Sequence, residues 1–155
     1  MAKNLNYNAT GSTCNSNDNA NCTTYGRFYD WTTAKSACPS GWHLPSKDEW
    51  STLIDFVGGT AKAGAKLKAT SGWQVGIIVT SGTDNYGFAA LPSGWGSPNG
   101  GFLQESAGAH YWGGSDYVIS APFIYAYSLI VSHNDYTESE YELEDAFLSV
   151  RCVQN

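Results

Sequence analysis

Four cysteines constrain this chain more than any other feature. Cys38 opens the run Cys38-Pro39-Ser40-Gly41-Trp42-His43-Leu44-Pro45-Ser46, and Cys152 lies in Ser149-Val150-Arg151-Cys152-Val153 near the far end. Four cysteines allow three connectivities. Cys14 and Cys22 flank a short Asn/Asp/Ser-rich loop with little apolar surface to order it, so a local bridge between them is expected. Cys38, just after an early helix, is then paired with Cys152 in the last strand, which ties the two ends of the fold together. The middle becomes a set of loops between fixed ends, better suited to presenting a surface than to building a catalytic cleft. No CxxC spacing occurs and the His residues do not cluster with the cysteines, which argues against a zinc site. An even count without a metal pattern favours an oxidising compartment.

The 155 residues fit one domain, 1–155, large enough to bury a core. Only 14% of residues are charged, whereas six Trp, ten Tyr and 17 Gly point to a loop-rich, largely β domain rather than a helical bundle. The formal net charge of −6 excludes nucleic acid as a natural partner and disfavours an anionic membrane surface. No apolar run approaches the roughly 18 residues of a membrane span, so no membrane insertion is expected.

Residues 1–24 read as polar and turn-rich, apart from a strand-like start around Leu5 and Tyr7. A first helix is expected from near Asp30, with Trp31, Ala34 and Cys38 on one face and Pro39 and Gly41 ending it. A second follows Pro45: Ser46 and Glu49 make a capping box, Trp50, Leu53, Ile54 and Val57 form an apolar stripe, and Gly58-Gly59 stop it. Ala61 to Ala69 adds a short helical turn. Beyond Gly72 the pattern is strand and loop, with strands expected at Gly76–Thr80, Phe88–Leu91, Ala109–Trp112, Tyr125–Val131 and Phe147–Val153. Two helices followed by short, mostly antiparallel strands define an α+β class.

Several strings carry a resemblance. They are Met1 through Tyr7, Tyr25-Gly26-Arg27-Phe28-Tyr29, Cys38 through Ser46, Tyr86-Gly87-Phe88-Ala89-Ala90-Leu91-Pro92, Tyr111-Trp112 and Ser149 through Val153. In this order, across nearly the whole chain, they resemble the Fibrobacter succinogenes major paralogous domain family. The resemblance implies a C-type-lectin-like fold of the formylglycine-generating-enzyme variety, in bacterial proteins that are mostly exported or at the cell surface. An extracellular or cell-surface location is therefore expected, with a phage particle as the other setting. The leader that export requires is absent from this chain, as in a piece of a larger protein or a minimal stand-alone version. The enzyme chemistry is not expected to carry over, because it needs a reactive thiol and all four cysteines are assigned to bridges.

His43, beside the bridge, and His110, on a buried strand, read as structural residues, and Trp42 as indispensable to folding. Asp48-Glu49 is explained by the helix dipole at its N-terminus. Glu138, Glu140, Glu142 and Glu144 alternate with other residues, which places four carboxylates on one face of a strand. Such a charged edge blocks sheet-to-sheet association, and it also forms an electronegative patch for a basic ligand or cation.

The stretch 113–137 has no Lys, Glu, Gln, Trp or Met and is dense in Tyr, Ser, Asp, Asn and Gly. That is the residue set of binding loops. It is also the set that adenine-directed mutation of Asn codons reaches, and some proteins of the C-type-lectin-like fold are diversified by retroelements. The expected function is non-enzymatic binding of a protein or glycan through loops at about 113–145. Contacts are expected from Tyr117, Phe123, Tyr125, Tyr136 and Tyr141, with Asp116, His133, Asn134 and Asp135 as polar partners. Asn134-Asp135 resembles a calcium-and-sugar pair of true C-type lectins. The chain lacks a Glu-Pro-Asn or Gln-Pro-Asp partner loop, so no cofactor is expected and calcium is the alternative. The alternative functions are a structural surface module and an enzyme using His43 or His133 with a nearby carboxylate.

Overall fold

The computed structural model describes residues 1–74 and 81–155, except for the side chains of 115–118. In chain order the elements begin with β1 (Ser12–Thr13), a 3-10 turn at Asn15–Asn17, α1 (Asn19–Tyr25), β2 (Phe28–Tyr29), α2 (Trp31–Ala37) and β3 (Trp42–His43). Next come α3 (Lys47–Phe56), α4 (Thr60–Leu67), β4 (Trp95–Gly96), β5 (Phe102–Leu103) and the long strands β6 (Gly108–Ser120) and β7 (Phe123–Ser132). The chain closes with β8 (Thr137–Leu143), β9 (Leu148–Ser149) and β10 (Val153–Gln154). This is a mixed α+β domain. Its main sheet runs β1-β2-β9-β6-β7-β8, and β10-β3 and β4-β5 form two small ladders. All these pairings are antiparallel except β6 with β9.

Local chemistry explains the helices. The Asp30 carboxylate accepts from Thr33 N at 2.7 Å and starts α2. Ser46 Oγ accepts from Glu49 N at 3.2 Å while Glu49 Oε2 accepts from Ser46 N at 2.8 Å, the reciprocal cap expected for α3. That helix ends at Gly58, whose φ of +110° only glycine adopts without strain. The apolar stripe of α3 faces inward as its spacing predicts: Trp50, Ile54 and Val57 are buried and Leu53 is half-buried against them.

Residue alternation gives the main sheet two apolar faces. Ala109, Tyr111, Tyr127, Leu129 and Val131 pack against Trp50, Ile54, Val57, Ala63 and Leu67 of α3 and α4. On the other face Trp112 and Ala126 join Tyr29, Trp31, Ala34, Leu148 and Val150. Indole N–H groups lock the layers: Trp31 Nε1 donates to Gly113 O at 2.9 Å and Trp112 Nε1 to Tyr29 O at 2.7 Å. The pairing register of β6 shifts between Trp112 and Tyr117. There Gly114 N donates to Pro45 O at 2.8 Å, and a Cβ on Gly114 would lie 2.8 Å from Leu44 O, so only glycine permits this approach.

Both expected bridges form, Cys14–Cys22 and Cys38–Cys152. Several expectations need correction. Four helices lie among the described residues: the two expected, the turn expected at Ala61 to Ala69, which is the full helix α4, and one more. The additional α1 is capped by the Asp18 carboxylate, which accepts from Ala20 N, and buries only Cys22, so it leaves no apolar periodicity to read. Leu5 joins no ladder but donates its N–H to Val150 O at 2.8 Å. Phe88–Leu91 is not a strand: only Ala90 makes a bridge, to Lys68. The stretch Phe147–Val153 divides between β9 and β10, which belong to different sheets. The expected strand Gly76–Thr80 lies outside the described residues.

Candidate ligand-binding site at the hairpin end

The residues expected to form one contact surface fall into two groups at opposite ends of β7. Nine residue steps separate Phe123 from Ser132, a distance of roughly 30 Å along an extended strand. Phe123 and Tyr125 occupy the β6–β7 end, with ring centroids 6.4 Å apart. His133, Asn134, Asp135 and Tyr136 occupy the turn into β8 at the other end. Tyr141 sits partway along β8 opposite Tyr127, its ring edge-on at 6.0 Å, with Lys47 Nζ also nearby. The side chains of Asp116 and Tyr117 lie outside the described ones.

In the turn, His133 and Asp135 are held in place. His133 N and Nδ1 both lie within hydrogen-bond distance of Ala107 O, at 2.9 and 3.2 Å. Lys68, fully buried, donates to His133 O at 2.8 Å and pairs with Asp135 at 2.5 Å. An ammonium already on the Asp135 carboxylate competes with any cation there, which weakens the Asn134-Asp135 calcium alternative. Asn134 and Tyr136 remain exposed, Tyr136 at 50%.

The hairpin end is different. Phe123 is 52% exposed and Ile119, across the hairpin, is 65% exposed. Beneath Phe123 lies a cleft of about 330 Å³ whose walls include Trp95, Pro98, Asn99, Glu142 and Asp145. It adjoins a second cleft of about 530 Å³ that shares Pro98 and Asp145 and adds Asp30, Glu144 and Phe147. Burial, reinforced by neighbouring Glu140, raises the Glu142 carboxyl above the usual carboxylate range. Aromatic rings beside carboxylates can stack on a sugar face or an aliphatic stem while the acids take hydroxyl or ammonium protons.

Sequence reasoning found Phe123 and the acidic run but missed Trp95, Pro98, Asp30 and Phe147. A Trp within the Gly/Pro/Ser/Asn-rich loop 92–101 was the available signal, because such loops rarely need so large a ring unless it packs or binds. The acidic run is an edge strand with Glu138, Glu140 and Glu142 opposite Ile130, Ser128 and Ala126 on one face, but Glu144 lies beyond the end of β8, so three carboxylates and not four share that face.

His43 Nε2 lies 2.9 Å from Glu49 Oε1 and its Nδ1 lies 2.7 Å from Asn155 Oδ1. Those two hydrogen bonds hold its pKa above the usual imidazole value. The ring ties β3 to α3 and to Asn155, and both hydrogen bonds favour its protonated form. All four cysteines are paired. Among the described residues no group of three or more His, Cys, Asp or Glu could hold a metal ion. No helix among them is long and apolar enough to cross a membrane.

His110 is buried on β6, donating from Nε2 to Gln104 Oε1 at 2.8 Å, and burial depresses its pKa to about 4. The unfolded chain binds this proton near the ordinary imidazole value of about 6.5, the folded one only near 4. Its stabilising contribution is therefore complete above about pH 6.5 and lost as pH falls toward 4, on the order of 2–3 kcal/mol. His110→Leu should flatten that part of the stability–pH curve measured by urea unfolding. An unchanged curve would remove His110 from the acid response.

The fold and its cysteine frame thus define a disulfide-tied α+β domain of the kind that folds outside reducing compartments. The chain belongs to the Fibrobacter succinogenes major domain family, whose family model matches residues 1–154. Neither the curated proteins nor the solved structures contain a match to it.

Proposed function

We propose that this is a non-enzymatic, C-type-lectin-like binding domain that takes a protein or glycan ligand at the hairpin end. The observation that carries this is a large exposed ring, Phe123, standing over a cleft lined by Trp95, Glu142 and Asp145. What sets Phe123 apart from the other exposed rings is the cleft it borders, and a ring with adjacent carboxylates suits a hydroxylated or cationic ligand. Within the Tyr- and Ser-rich stretch 113–137, Ala126, Tyr127, Leu129 and Val131 belong to the core, so any diversification by a retroelement would fall on the exposed positions such as Ile119, Phe123, Asn134 and Tyr136. Its two bridges fit a role at the cell surface or outside the cell.

A glycan array and a partner pull-down test the reading. Phe123→Ala should leave the melting temperature nearly unchanged, because the ring is half-exposed, and weaken binding about thirtyfold. Tyr136→Ala, at the far end of the hairpin, should change neither. Loss of binding with Tyr136→Ala but not with Phe123→Ala would overturn the assignment. Absence of any ligand in both assays would favour a structural surface module.

A further inference from the structure

Arg151 precedes the last cysteine and is only 3% exposed, yet among the described residues no carboxylate stands within ion-pair distance of it. Its Nε and Nη2 donate to Asn4 Oδ1 at 3.1 and 2.8 Å, and Nη1 donates to Phe88 O. The guanidinium lies over the Phe88 ring at 4.2 Å and the Tyr111 ring at 5.7 Å. Asp84 acts on it only through space, and the Tyr111 hydroxyl, with its pKa raised by burial, is neutral. A buried cation with only neutral partners is costly unless something supplies the missing charge. A guanidinium carries five N–H groups, and the three bonds to Asn4 and Phe88 use one on each nitrogen.

Arg151 lines a cavity of about 390 Å³, within the size range of small-molecule sites. Around it stand Lys3, Asn6, Thr23, Thr24 and Tyr25, and no Asp or Glu lines the wall, although the chain has 14 acidic residues and only eight Lys and Arg. This is the opposite electrostatic character to the hairpin-end clefts, which hold Asp30, Glu142, Glu144 and Asp145.

We propose that this cavity is a second binding site, one for the carboxylate of a small hydroxylated acid such as a uronic acid. Arg151 and Lys3 take the carboxylate, and the Thr23 and Thr24 hydroxyls with the Asn6 amide take the ligand's hydroxyls. Planar guanidinium and carboxylate groups match in a two-pronged hydrogen bond, which a neutral sugar cannot offer.

The test is titration of the whole domain with sodium glucuronate and, in parallel, glucose, followed by amide chemical shifts. Glucuronate should shift the amides of Thr23, Thr24 and Tyr25 saturably, and glucose should not. Lys3→Glu, at an exposed position that folding does not use, should weaken glucuronate at least about tenfold. Arg151→Lys should weaken it further if the variant folds; if it does not, Lys3→Glu alone decides. Equal responses to glucose and glucuronate, no response to either, or undiminished affinity in Lys3→Glu would overturn the site. None of these outcomes bears on the hairpin end, which is lined by different residues.

Discussion

Replacing Cys38 and Cys152 by serine is expected to cost about 2–5 kcal/mol, read as a lower midpoint in urea unfolding. The two residues are 114 apart in sequence, so the bridge closes a long loop and removes much of the freedom of the unfolded chain. The native side contributes as well. Cys152 is fully buried in the cluster with Trp112, Leu148 and Val150, where a serine hydroxyl would lack a partner. The double variant should lose far more than Cys14→Ser/Cys22→Ser, whose bridge is also buried but spans only eight residues. Comparable losses from the two pairs would show that loop length is not what sets the effect.

Trp112→Ala should be the most damaging single substitution, at about 3–5 kcal/mol. The ring is fully buried, its N–H holds Tyr29 O at 2.7 Å, and its carbonyl lies 3.4 Å from Trp50 Nε1 of the opposite layer. Removing it opens a cavity and leaves the Tyr29 carbonyl without its donor. Sequence reading assigned this role to Trp42, the tryptophan beside the bridge. Trp42 is only partly buried and packs at the margin of the cluster, so Trp42→Ala should cost clearly less. A thermal melt of the two variants side by side ranks them, and the reverse order would show that the packing has been misjudged.

What could be read from sequence was whatever is encoded locally. The capping box at Ser46 and Glu49, the Trp50 stripe and the alternating glutamates of β8 each act over a few residues, so spacing alone reveals them. The bridges were legible because four cysteines leave few pairings. By contrast, α1 is too polar to leave a pattern, and the two short strands β9 and β10 depend on distant partners, β2 and β3 lying over a hundred residues away. The candidate cleft is harder still. Asp30, Trp95, Phe123, Glu142 and Phe147 come from five separate segments, and nothing local marks them as neighbours.

The order of the main sheet has a consequence for biogenesis. Among the described residues, Leu148–Ser149 is the strand that joins β1-β2 to β6-β7-β8 within the main sheet. A chain emerging from a ribosome or an export channel, N-terminus first, cannot join the two halves until almost all of it has appeared. The packing of α3 and α4 on β6 and β7 needs nothing beyond Val131, so this sheet order makes the joining of the two parts the late step. The Cys38–Cys152 bridge has the same timing, because its second cysteine follows the joining strand by three residues, whereas Cys14–Cys22 can close early.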